Sequence, residues 1–225
     1  MTKCAIFLSG KGSNFVNIIE KINLGKLSRT KISIVISNNR DCEGIQKAAD
    51  YGLDTFFIDK SKDYNYLEKI LNRNGISLLI LAGFMKILPA DFVDKFSGKI
   101  INLHPSLLPK YKGLDTHENV LKAKDKFHGA SVHFVNSRLD DGPIIIQSKC
   151  MVSSDDTCET LKAKVHKIEY EILPIAIDWY CKKYIKQVDD KIQFKDNVLD
   201  KPIICLLYTS PSPRDTERYR MPSSA

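Results

Sequence analysis

CAIFLSGKGSNFVNIIEKI (Cys4–Ile22) opens with an apolar run of strand length, passes through two glycines, and continues with Phe15, Ile18, Ile19 and Ile22 at helical spacing. A strand with so little polar alternation is one covered on both faces, as strands in a parallel sheet are. A strand leading through a short loop into an amphipathic helix is the first half of a βαβ unit. The same alternation repeats outward from this stretch. Apolar runs recur at Lys31–Ser37, Thr55–Ile58, Leu78–Ala82 and Ile100–Leu103, with helical patterns at Tyr64–Asn74 and Asp91–Phe96 filling gaps between them. This order predicts an α/β protein with a Rossmann-like, doubly wound, mostly parallel sheet and right-handed crossovers.

The pattern changes after Asn102. Ala130–Phe134 and Ile144–Val152 are strand-like but joined only by a loop containing Asp140, Asp141, Gly142 and Pro143, so antiparallel strands are expected near the C-terminal half. A long helix is expected from Thr157 to Tyr180, with Leu161, Val165, Ile168, Ile172 and Trp179 on one stripe and a kink at Pro174. No internal repeat and no Pro-, Gly- or Ser-rich linker divides residues 1–204, which are expected to form a single domain. From Cys205 onward the chain reads CLLYTSPSPRD and ends RMPSSA, which resembles translated sequencing-adapter DNA. Residues 205–225 are therefore expected to be a non-native, disordered tail without function.

A composition of 43% hydrophobic and 27% charged residues over 225 positions supports a sizeable core. There is no run of eighteen apolar residues and the N-terminus enters a strand-like run at once, so no membrane partner and a cytoplasmic location are expected. Cys4, Cys42, Cys150, Cys158, Cys181 and Cys205 form no C-x-x-C pair and no zinc-type spacing with histidine. Reduced thiols and no metal are the resulting expectations. The formal charge of +7 suits anionic ligands, but the basic residues are spread without interleaved aromatics, so no nucleic-acid partner is expected.

Three constellations bear chemistry. Ser9-Gly10-Lys11-Gly12-Ser13-Asn14 follows the first strand and opens the first helix, where unpaired N–H groups attract an anion such as phosphate. It is neither a Walker loop nor a full dinucleotide fingerprint, and its plainer reading is a turn with Ser13 or Asn14 as helix N-cap. Asn102-Leu103-His104-Pro105-Ser106-Leu107-Leu108-Pro109 lies past the carboxyl end of the fifth strand, where open α/β sheets bind ligands. Alternation places Asn102 and His104 on one side, and the two prolines stiffen the loop beyond them. An amide can donate to a developing oxyanion, and a histidine can protonate it or stabilise its charge. In Leu139-Asp140-Asp141-Gly142-Pro143, a surface turn competes with a catalytic reading in which paired carboxylates raise one pKa and make a proton acceptor.

Taken together, SGKGSN (Ser9–Asn14), LAGFMKIL (Leu81–Leu88), NLHPSLLPKY (Asn102–Tyr111), HGASVHFV (His128–Val135) and LDDGP (Leu139–Pro143) resemble the folate-dependent formyltransferases over nearly the whole body. The N-terminal glycine loop narrows the resemblance to the branch that formylates glycinamide ribonucleotide. The resemblance implies catalytic roles for Asn102, His104 and Asp140. It implies that Gly12, Ser13 and Asn14 hold the substrate phosphate, and that Glu169 contacts the glycinamide end. Met85, Lys86, Ile87 and Leu88 would wall the folate pteridine together with Asn102, and Lys62 would stand near the folate tail. Asp115 stands where some relatives carry a histidine and is given no role, while His117 matches. His133 is expected to be a packed structural histidine near the site, and His166 a solvated helix residue.

The implied reaction transfers the formyl group of 10-formyltetrahydrofolate, a co-substrate, to an amine through a tetrahedral intermediate, without metal. Small-molecule substrates and a monomer or weak homodimer go with it. A methionyl-tRNA formyltransferase would need a further C-terminal domain, and a formyltetrahydrofolate hydrolase a further N-terminal one. A non-catalytic nucleotide-binding module accounts for Gly10–Asn14 but gives Asn102, His104 and Asp140 no reason to coexist.

Overall fold

The computed structural model describes residues 1–60 and 63–206 together with the backbone of 219–220. The first half alternates strand and helix, all but α2 matching a run or pattern named above: β1 (Thr2–Leu8), α1 (Ser13–Asn23), β2 (Thr30–Ser37), α2 (Glu43–Asp50), β3 (Asp54–Phe57), α3 (Asp63–Arg73), β4 (Leu78–Leu81), α4 (Ala90–Lys95) and β5 (Ile100–His104). The second half is α5 (Thr116–Ala123), β6 (Phe127–Phe134), β7 (Ile144–Met151), α6 (Cys158–Cys181), β8 (Ile185–Val188), β9 (Lys191–Phe194), β10 (Asn197–Leu199), β11 (Ile203–Cys205) and β12 (Tyr219–Arg220).

The main sheet has the order β12-β11-β7-β6-β5-β4-β1-β2-β3. Strands β3, β2, β1, β4 and β5 are parallel, β6 is antiparallel to both β5 and β7, and β11 is parallel to β7. Within β1–β7, then, β6 alone runs against the rest. The order reverses between β1 and β4, which makes their carboxyl ends the crevice where such sheets take ligands.

Alternation along β1 builds both cores. Cys4, Ile6 and Leu8 pack with Phe15 and Ile18 of α1 and with Val165, Ile168 and Ile172 of α6. Ala5 and Phe7 pack on the opposite face with Leu67 and Leu71 of α3 and Phe92 and Val93 of α4. Each buried Val, Leu, Ile or Phe among them contributes about 1.5–3 kcal/mol. The long helix α6 is capped by Thr157, whose side chain accepts from the Thr160 N–H in a reciprocal box, and it continues through Pro174.

Several elements leave no clear signature in the sequence. The two short helices α2 and α5 bury only two residues each, too few for a 3.6-residue period to emerge. Strands β8–β10 form a separate antiparallel sheet in a lysine-rich stretch that has no alternation strong enough to announce it. Cys205, expected to begin the unpacked tail, is 3% exposed in β11, and the backbone of Tyr219–Arg220 pairs antiparallel with that strand. β11 is otherwise an edge, and an edge offers unpaired backbone groups to any extended segment.

Candidate active site

The loops after β1 and β4 meet at the switch point. The Ser9 N–H donates to the Gly83 carbonyl at 3.0 Å, and Ser9 Oγ accepts from the Met85 N–H at 2.7 Å. Gly12 is the N-cap of α1 with φ 68, in place of the expected Ser13 or Asn14, and no side chain caps the helix. A Cβ on Gly12 would stand 2.8 Å from the Gly44 Cα at the start of α2, so both left-handed backbone and close approach require glycine. The first-turn N–H groups of α1 thus remain free of side-chain caps and open to an anion.

Asn14 is buried and turns inward: its Nδ2 donates to Glu169 Oε2 at 2.9 Å, while its Oδ1 is buried without a partner. Glu169, 5% exposed on α6, is pushed up to about 7 by burial, against the opposing pull of Asn14 and Lys162. His166 Nε2 lies 3.7 Å from the same carboxylate. Helices α1 and α6 thereby bring together two expected substrate-binding residues 155 positions apart.

On β5, Leu103 packs into the core shared with α6, so Asn102 and His104 share the other face. The antiparallel register of β6 sets His133 opposite Asn102 and Ser131 opposite His104. The segments 109–115 and 135–143 meet this face, through the Tyr111 carbonyl, the Gly113 N–H and the Asp140 carboxylate. Asp140, at φ 46, is carried into the middle of the group. Its Oδ1 accepts from Asn102 Nδ2 at 3.2 Å, and its Oδ2 accepts from the Gly113 N–H at 2.8 Å. His104 Nδ1 lies 3.4 Å from Oδ2, and His133 Nε2 lies 3.6 Å from Oδ1. His104 Nε2 donates to the Tyr111 carbonyl at 2.8 Å.

The electrostatics follow from these contacts. Burial pulls the His104 imidazole below its ordinary value, opposed by the Tyr111 carbonyl and the Asp140 charge. Burial also works to raise Asp140, but His133, the Gly113 N–H and the His104 charge outweigh it and hold the carboxyl below its usual range. The expected mutual repulsion of two adjacent aspartates is not the controlling effect. Asp141 points away, pairs with Lys112 and Arg138, and is likewise held low, Lys112 first among the causes. Asp140 therefore stands ionised, able to accept a hydrogen bond on either oxygen.

His133 joins this set directly, because its Nε2 sits 3.1 Å from Asn102 Nδ2 and its Nδ1 donates to the Phe134 carbonyl at 2.7 Å. Its placement opposite Asn102 depends on strand register, which no local pattern displays. Gly113 and Tyr111 escape sequence reasoning for a related reason, since they act through backbone atoms. His117 Nδ1 and His128 Nε2 are 2.9 Å apart behind His104, and burial pulls both down to about 4. Next to Asn102, the segment after β4 presents Met85 and Ile87 at 71% and 75% exposure, whereas Leu88 is buried in the core with Phe92. Lys86 is exposed, and its Nζ donates to the Asp59 carbonyl at 3.2 Å. Lys62 lies outside the described residues. Among the described residues no group of three or more His, Cys, Asp or Glu is arranged to hold a metal ion.

The chain is thus an α/β protein with an uncapped helix N-terminus at the switch point of its sheet and a part-buried Asn–His–Asp group one strand away. The formyl transferase family model matches residues 2–177, and the chain belongs to that family. The phosphoribosylglycinamide formyltransferase of Haemophilus influenzae is 36% identical over 204 residues, covering 88% of this chain and 92% of that one. The Escherichia coli protein of the same name is 37% identical over 187 residues, covering 80% and 88%. The solved phosphoribosylglycinamide formyltransferase of Coxiella burnetii, in complex with CHES, superposes with a TM-score of 0.83 at 36% identity over 88% of this chain and 95% of that one.

Proposed function

We propose that this enzyme transfers the formyl group of 10-formyltetrahydrofolate to the amine of 5-phosphoribosylglycinamide, giving the N-formyl product and tetrahydrofolate in purine biosynthesis. The observation that carries this reading is the convergence of Asn102, His104 and Asp140 within one part-buried cluster, on the same sheet as the helix start that offers N–H groups to a phosphate. Gly12, Ser13 and Asn14 hold the phosphate, with Glu169 next to them on the substrate side. Met85, Lys86 and Ile87, with Leu88 behind them, form the wall for the pteridine, and Lys62 reaches the folate tail.

The amine nitrogen attacks the formyl carbon and the carbonyl electron pair moves onto oxygen. Asn102 donates an amide hydrogen to that oxyanion, giving up its contact with His133, and the His104 charge stabilises it. The attacking nitrogen loses its proton to Asp140, directly or through one water. The intermediate collapses as the bond from carbon to folate N10 breaks, and N10 takes a proton from His104. Positioned proton transfer of this kind accelerates a reaction by ~10²–10⁴-fold. Under this reading the enzyme handles small molecules, without a nucleic-acid or membrane partner, as a cytoplasmic monomer or weak homodimer. No helix among the described residues is long and apolar enough to cross a membrane.

The deciding experiment monitors tetrahydrofolate release with glycinamide ribonucleotide as acceptor. His104→Ala is expected to lower kcat at least a hundredfold, and undiminished turnover would remove the mechanism. Absence of turnover in the unmodified protein would remove the function.

A further inference from the structure

No residue between Leu108 and Thr116 is buried, so polar contacts rather than packing hold the segment 109–115 in place. Yet its backbone makes two of the contacts that define the site. The Tyr111 carbonyl accepts from His104 Nε2 at 2.8 Å, and two residues on the Gly113 N–H donates to Asp140 Oδ2 at 2.8 Å. Tyr111 itself is left-handed at φ 56, a conformation that a residue with a Cβ holds only when something outside it imposes it. The anchor is Asp125, just beyond the end of α5. Its Oδ2 accepts from the Tyr111 hydroxyl at 2.9 Å and from Lys110 Nζ at 2.9 Å. The Ser106 hydroxyl donates to the Lys110 carbonyl at 2.7 Å, and Lys112 pairs with Asp141 on the other side.

We propose that Tyr111 and Asp125 are positioning residues for the reaction: their side-chain contact fixes the 111–113 backbone, and that backbone holds His104 and Asp140 in register. Neither side chain touches the reacting atoms. The inference rests on the reading that His104 and Asp140 carry the chemistry. It extends the functional set to a residue outside the site, tied to it through the strap that residues 109–115 form.

The test uses Tyr111→Phe, which removes one hydroxyl and keeps the ring, Asp125→Asn, Asp125→Glu and the Tyr111→Phe/Asp125→Asn double variant. Each of Tyr111→Phe and Asp125→Asn is expected to lower kcat about tenfold with both KM values within twofold, as small misplacements of reacting groups do. The double variant should fall no further than the worse single one, because both changes remove the same contact. Asp125→Glu, which keeps an acceptor, should recover most of the loss.

The second readout is the NMR titration of the His104 imidazole in the free protein, assigned by its absence in His104→Ala. The groups facing this ring are Asp140, His133, the Tyr111 carbonyl and, behind it, His128. The carbonyl favours the protonated ring, so loosening the strap should move the midpoint to lower pH in both single variants. This readout needs no turnover, so it separates failure of the strap from failure of the proposed reaction. Unchanged kcat and titration in both variants would overturn the inference. So would raised KM values and lower melting temperatures with kcat preserved, or losses that multiply in the double variant.

Discussion

Asp140 Oδ2 lies 3.4 Å from His104 Nδ1, and the two side chains are 9% and 6% exposed. With Nε2 donating to the Tyr111 carbonyl, both ring nitrogens face acceptors, so the surroundings reward the imidazolium that burial penalises. The Tyr111 carbonyl and then the Asp140 carboxylate oppose burial, which still holds the imidazole below its ordinary value.

Replacing Asp140 with Asn retains the shape and removes the charge. The expected result is a fall in kcat of at least tenfold with KM values within threefold, together with a downward shift of the His104 titration. Steady-state kinetics and imidazole NMR check both parts, and a variant with wild-type kcat would strip Asp140 of its role.

Glu169 gives a stability prediction with a defined sign. Its carboxyl is pushed up from 4.5 to about 7 in the folded protein, so its contribution is fully present below 4.5 and is lost as the pH rises through about 7. Glu169→Gln removes that loss, and the new amide can donate to the unpartnered Asn14 Oδ1. The variant should melt higher than the unmodified protein at pH 8 and close to it at pH 5. A variant that melts lower at pH 8 would contradict the burial argument.

At the phosphate loop, Gly12→Ala forces a Cβ into a left-handed position and against the Gly44 backbone. Left-handed strain of about 1–2 kcal/mol and overpacking of about 1–3 kcal/mol add to a melting decrease of roughly 4–20 °C. If the loop holds phosphate, KM for the ribonucleotide should rise much more than KM for the folate. Equal effects on both would detach the loop from the phosphate.

Truncation distinguishes the packed strand β11 from the residues beyond 206. Ile203 and Cys205 are buried in β11, so deleting 203–225 should cost several degrees of melting temperature, at ~1.5–3 kcal/mol for the isoleucine alone. Deleting 207–225 should leave activity and melting temperature unchanged. A clear loss from the shorter deletion would make the terminal segment part of the working protein.

The sequence by itself determined the alternation from β1 to β5, the reversal at Asn102 and the long capped helix. These depend on neighbours a few residues apart, and burial on two faces or on one stripe writes a period into the chain. It also put Asn102 and His104 on one face, because strand alternation is a local rule. The residues alone left Asp140 and Asp141 as alternatives that the family resemblance separated, and the contacts that distinguish them belong to the tertiary structure. Asp140 and Asp141 are adjacent and alike in sequence, yet one is drawn under Gly113 beside His104 and the other is taken by Lys112 and Arg138. The same holds for His133 facing Asn102, for Asn14 meeting Glu169, and for Asp125 tying Tyr111. Such contacts are set by register, by loop path and by helix docking. Each of these sums small terms over the whole core and leaves no mark at the residues that meet.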